Sequence, residues 1–93
     1  MDPILDLRII SSALKHGVTE NQIWDCVFNT QTPPITAAAY EPPAILLLGV
    51  TPDGLYLELG LESEGEGLYR VFHAMPMRER DKQWFRRQKR RRR

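Results

Sequence analysis

One histidine and a dense run of cations are the residues of this 93-residue chain best suited to chemistry. His73 is the leading acid/base candidate, because an unperturbed imidazole titrates near neutral pH. Arg78 and Arg80 follow Pro76, at what reads as the start of a last helix. A basic side chain there opposes the helix dipole, a placement expected when the charge serves binding. Lys82, Arg86 and Arg87 continue the basic surface as phosphate contacts, and Lys15 is another. Arg70 stands three residues before His73, so on a flat strand it points to the opposite face. It joins His73 only if a bulge or the strand end turns it. Simpler readings stay open: His73 as a residue packed at a strand end, and the cations as a solvated face partly offset by Glu79 and Asp81.

Other chemistry-bearing residues form no recognisable site. His16, next to Lys15, reads as a helix C-terminal residue favoured by the dipole. Cys26 reads as core, and the spacing of His16, Cys26 and His73 matches no zinc pattern, so no metal or cofactor is expected. Ser11 and Ser12 lack a nucleophile-elbow context. Gly65 and Gly67 lack the helix and lysine of a phosphate loop. Glu62, Glu64 and Glu66 read as a solvated loop. Trp84 and Phe85 interleave with the C-terminal cations. Stacking on bases is one use for them, and packing of the last helix onto the rest of the chain is the better-favoured one.

The charge is unevenly distributed. Residues 78–93 hold ten bases against two acids, a balance of +8, and the first 77 hold three bases against ten acids, −7, leaving a net +1. A mildly acidic body with a basic end suggests a polyanionic partner, either nucleic acid or an acidic surface. With 42% hydrophobic and 27% charged residues, the composition is that of a globular protein and excludes a wholly disordered one. The longest apolar run, Ala44–Val50, is too short to span a bilayer. The acidic start Met1-Asp2-Pro3 does not resemble a secretory signal, and a single cysteine fits a reducing compartment. A cytoplasmic protein with no membrane association is expected.

These residues need elements to position them. Asp6 is a plausible N-cap, and Leu7, Ile10 and Leu14 with Ala13 form a helical stripe ended by Gly17. Thr19-Glu20-Asn21-Gln22 reads as a capping box that opens a second helix over 19–29, with Ile23, Trp24, Val27 and Phe28 on its apolar face. Pro33-Pro34 and Pro42-Pro43 bracket an edge strand containing Ile35, Ala37, Ala39 and Tyr40. Ala44–Val50 reads as a buried strand, and Thr51-Pro52-Asp53-Gly54 as a turn. Leu55, Leu57, Leu59 and Leu61 alternate with Tyr56, Glu58, Gly60 and Glu62, which predicts a strand with one buried and one wet face. A looser turn at 63–67, a strand at 68–75 and a terminal helix over 78–88 complete the chain. We therefore expect an α+β fold: an N-terminal helical hairpin packed on a three- to four-stranded antiparallel sheet, then a basic C-terminal helix. Residues 1–88 would form one domain and 89–93 a disordered basic tail.

Lys15-His16-Gly17-Val18-Thr19 resembles the KHGVS segment of BrnT-type bacterial toxins, at the same inter-helix junction. Arg70-Val71-Phe72-His73-Ala74-Met75-Pro76-Met77-Arg78-Glu79-Arg80 resembles the last strand and basic helix of that family, and His73 to Arg78 is also similar to small actinobacterial toxins. The resemblance implies a RelE-like fold and a metal-independent ribonuclease, the toxin of a type II toxin–antitoxin pair. Its partners would be RNA and a cognate antitoxin protein, with which it would form a hetero-oligomer. Where BrnT-like sequences carry Ser-Ala-Arg, this chain has His73-Ala74-Met75, so the substrate-contacting arginine is absent. Either His73 and Arg78 take its place, or the catalysis differs or is lost. RNA cleavage needs a base for the 2′-OH, cations for the phosphorane and an acid for the 5′ oxygen. His73 fits the proton transfers, and Arg78 with Arg80 the charge stabilisation. The alternative is a non-catalytic nucleic-acid-binding or protein-interaction module of the same fold.

Overall fold

The computed structural model describes residues 3–29, 35–37 and 44–91. Its centre is a five-stranded mixed sheet in the order β1-β5-β4-β3-β2. The strands are β1 (Asp6–Ile9), β2 (Ile35–Ala37), β3 (Ala44–Val50), β4 (Tyr56–Gly65) and β5 (Leu68–Pro76). Helix α1 (Glu20–Phe28) precedes β2 and helix α2 (Glu79–Arg91) follows β5. The coarse α+β class is as expected, but the arrangement within it differs in two respects.

First, the described residues form no N-terminal helical hairpin. Residues 6–9 form β1, which runs parallel to β5 with Asp6 opposite Leu68 and Ile9 opposite Val71. Ser11–Leu14 is only a single 3-10 turn. The carboxylate of Asp6 accepts from the next N–H, of Leu7, instead of capping a helix. Over four residues, the positions that fit a helical stripe fit a strand equally well. Here the ladder decides: Leu5 and Asp6 donate to the Gly67 carbonyl at 2.9 and 3.2 Å, and Ile10 to that of Val71 at 3.1 Å. Second, this parallel strand makes the sheet mixed and five-stranded rather than antiparallel with three or four strands.

Helix α1 forms for the expected reason. Thr19 Oγ1 accepts from Gln22 N at 3.1 Å, and Gln22 Oε1 from Thr19 N at 2.9 Å, closing the capping box. The buried stripe is narrower than expected: Ile23 and Cys26 are fully buried, whereas Phe28 is 77% exposed and stacks on Trp24. With Ala13 and Val18, the helix closes one sheet face over Leu47, Leu57, Leu59, Leu61, Val71 and Ala74. Helix α2 covers part of the other face, where Phe85 and Met77 pack with Leu48, flanked by Leu46, Val50, Tyr56 and Trp84. Layers on both faces explain why β3 is apolar without interruption.

The edge strand is present as Ile35–Ala37, antiparallel to β3. Ala39 and Tyr40, placed in the same strand by sequence, lie outside the described residues, as do Arg92 and Arg93 of the expected tail. Helix α2 runs past the expected end at 88 to Arg91. The 63–67 segment is not a loose loop. Gly65 pairs with Leu68 across a tight turn in which Glu66 and Gly67 have φ of 54° and 83°. Two positive angles in a two-residue loop match the right-handed twist of the strands. A Cβ on Gly67 would also lie 2.6 Å from Leu5 Cγ. Glu62 and Glu64 consequently sit on β4 in ion pairs, Glu64 with Arg8 at 2.7 Å and Glu62 with Arg70. Among the described residues, no helix is long and apolar enough to cross a membrane.

Candidate functional site

The site is built on the sheet face that carries α2, where β4 and β5 meet the helix start. Leu61 pairs with Val71 and Gly60 with His73, so Phe72 is an extra residue on β5. This bulge resets the alternation. Arg70, opposite Glu62, and His73, opposite Gly60, therefore share one face of the sheet, as a flat strand would forbid. Gly60 leaves room for the crossing: a Cβ there would come within 3.0 Å of both His73 Cβ and the Phe72 ring.

Glu58 holds the site together, and sequence reasoning placed it on a wet face. It is 1% exposed. Its Oε1 accepts from Arg78 Nε at 3.1 Å and from the Arg78 backbone N–H at 3.4 Å. Its Oε2 accepts from Arg78 Nη2 at 3.2 Å and lies 3.3 Å from His73 Nε2. Burial works to raise the Glu58 pKa. The hydrogen bonds from Arg78 and His73, with the charge and backbone N–H of Arg78, outweigh burial and hold the carboxyl below its ordinary value. An ionised Glu58 orients the imidazole. With Nε2–H toward the carboxylate, Nδ1 carries the lone pair.

Asp81 is the second missed acid. It occupies the first turn of α2, where the helix dipole favours a negative charge, and is 7% exposed. Its Oδ2 is 3.6 Å from Arg78 Nε and its Oδ1 3.6 Å from Arg80 Nε. Arg78 therefore lies between two carboxylates, yet its side chain remains 55% exposed. Arg80 is largely in solvent. The sequence held a signal for Asp81, which falls on the same helical face as Met77, Trp84 and Phe85. For Glu58 the only signal was an acid flanked by leucines.

The remaining candidates are dispersed. Arg70 pairs with Glu62 and lies 5.5 Å above the Phe72 ring. Lys82 and Arg86 lie 5.9 and 5.8 Å from the Tyr56 ring centroid, and Tyr56 packs edge-on against Phe85. Phe85 is fully buried, so its role is packing. Arg87 and Lys15 are exposed. His16 is not at a helix end. It follows the 3-10 turn and brings its ring to 6.0 Å from that of His73, inclined at 75°. Cys26 is fully buried in the core, and that burial pushes its thiol up to about 12. Among the described residues, no three His, Cys, Asp or Glu side chains form a group suited to a metal ion.

The cluster can accept or donate a proton at an oriented imidazole beside a half-exposed guanidinium. No family model matches the chain, and no curated protein or solved structure is similar to it.

Proposed function

We propose that this chain is a metal-independent ribonuclease, the toxin of a type II toxin–antitoxin pair, whose site is His73, Glu58 and Arg78. The observation that carries the reading is the buried Glu58, which grips the two sequence-predicted residues, His73 on β5 and Arg78 just before a basic helix. A carboxylate that fixes an imidazole's tautomer is a recurrent device of acid/base sites. Arg78, half exposed, is positioned to meet a phosphate. Arg80 and Arg87 are exposed cations along the same helix, and Lys82 and Arg86 hold their charges against Tyr56. Arg80 with Arg87 on one flank of α2, and Lys82 with Arg86 on the flank beside Tyr56, offer the phosphate contacts. In this reading the fold is a RelE-like variant in which a parallel edge strand and a 3-10 turn stand where a first helix was expected. An acidic antitoxin would neutralise the basic helix in a hetero-oligomer, and the chain would act in the cytoplasm.

One observation favours the second reading, a non-catalytic polyanion-binding module. Arg78 is already flanked by two carboxylates, which fits a brace that locks α2 to the sheet. Induction in bacteria separates the two. The ribonuclease reading predicts growth arrest with loss of total RNA, relieved by His73→Ala. Arrest that persists in His73→Ala with intact RNA favours the binding module. No arrest with folded protein rejects the toxin.

A further inference from the structure

We propose that His16 is the second proton-transfer residue of this site: the general acid for the departing 5′ oxygen, opposite His73 as base. The inference rests on the ribonuclease reading and narrows its substrate to RNA cleaved through its own 2′-hydroxyl.

His16 is held in place beside the bulge. Strand β1 pairs with β5 only as far as Val71, and the 3-10 turn covers the edge beyond. Ser12 Oγ donates to the carbonyl of the bulge residue Phe72 at 2.8 Å. Gly17 N–H donates to the Leu14 carbonyl at 3.3 Å. Ala13 and Val18, on either side of His16, are both buried in the core. This anchored segment leaves His16 exposed, with its ring edge-on to His73 at 6.0 Å between centroids. An acid and a base serving opposite ends of one phosphate each need an oxygen at about 2.6–3.2 Å. Two imidazoles with centroids 6.0 Å apart are close enough to reach the same phosphate group, and the inclined rings do not stack on one another. Glu58 from β4 lies 3.3 Å from His73 Nε2 and is shared with Arg78 from the β5–α2 link, while Arg70, paired with Glu62, lies on the same sheet face. Glu58 engages His73 Nε2, which leaves Nδ1 to act as base. Lys15, next to His16 in sequence, is an exposed cation.

The step balances without a cofactor. His73 Nδ1 takes the 2′-OH proton as the 2′ oxygen bonds to phosphorus. The bond from phosphorus to the 5′ oxygen breaks, and a protonated His16 delivers its proton to that oxygen. The products are a 2′,3′-cyclic phosphate and a 5′-hydroxyl. His73 then returns its proton to water and His16 regains one.

The test compares the purified wild-type chain with His16→Ala and His73→Ala on two RNA oligonucleotides. One is ordinary, and the other has sulfur as the bridging 5′ atom, a leaving group that needs no protonation. His16→Ala is expected to lower cleavage of ordinary RNA about 10²- to 10⁴-fold and to regain near wild-type rate on the sulfur substrate. His73→Ala stays impaired on both. The proposal is overturned if His16→Ala, with an unchanged thermal melt, cleaves ordinary RNA at the wild-type rate or is equally impaired on both substrates. His16→Asn repeats the comparison should the alanine variant fold poorly. A wild-type chain that leaves both substrates intact overturns the ribonuclease reading itself, and this inference with it.

Discussion

Replacing Glu58 by glutamine keeps the side-chain volume and removes the charge that binds β4 to His73 of β5 and to Arg78 of the β5–α2 link. The side chain is 1% exposed and accepts three hydrogen bonds from Arg78, with His73 at 3.3 Å. Breaking a buried ion pair costs about 3–5 kcal/mol when the surviving charge is left buried. Arg78 is 55% exposed and can return to water, so that penalty is not reached. What remains is the loss of charge-assisted hydrogen bonding, about 2 kcal/mol. For a domain of this size the melting temperature should fall by about 8–16 °C. The pH dependence provides a second check. The folded-state pKa of Glu58 lies below its ordinary value. Its stabilisation is therefore complete above the ordinary glutamate range and is lost as the pH falls through the lower folded value. Thermal melts followed by circular dichroism should show a large gap between wild type and Glu58→Gln at neutral pH. The gap should close as the pH is taken down through the carboxylate range. A gap near zero at neutral pH, or one that persists when both chains are fully protonated, would refute the assignment of Glu58 as an ionised brace.

Further outcomes follow from the packing. Phe85→Ala should cost about 3–5 kcal/mol in urea unfolding, because Phe85 is fully buried between α2 and the sheet; Phe28→Ser, at a side chain 77% exposed, should stay within about 0.5 kcal/mol. Gly60→Ala should destabilise by about 1–3 kcal/mol in the same assay, since the new methyl meets His73 Cβ and the Phe72 ring at 3.0 Å. Cys26, buried and with its pKa pushed up to about 12, should resist iodoacetamide in native protein near pH 8 and react rapidly in denaturant.

Elements fixed by local chemistry were legible in the sequence. The capping box at Thr19 and Gln22 forms as written. The 51–54 turn forms through Gly54 N–H on the Thr51 carbonyl at 2.9 Å and Leu55 N–H on Thr51 Oγ1 at 3.0 Å. The alternating leucines of β4 point to one core. Features fixed by distant partners were not legible. Residues 6–9 are a strand only because β5 offers an edge more than sixty residues away. Glu58 is buried where His73 and Arg78, 15 and 20 residues further along the chain, engage it, and alternation assigns faces without saying what covers them. The bulge at Phe72, which brings Arg70 and His73 to one face, was recognised as a requirement but carried no signal in the residue types. Charge and position single out His73, Arg78 and the basic helix, and the structure brings His73 and Arg78 onto Glu58, whereas the approach of His16 depends on a turn read as a helix.

Incubation of the purified chain with total cellular RNA, wild type beside His73→Ala and Arg78→Ala, tests the central claim most directly. The account predicts that wild type, without added metal and in the presence of a chelator, cuts RNA to fragments ending in 2′,3′-cyclic phosphate, and that both variants lose this activity while remaining folded. Intact RNA with folded wild-type protein, or equal cleavage by His73→Ala, would contradict it.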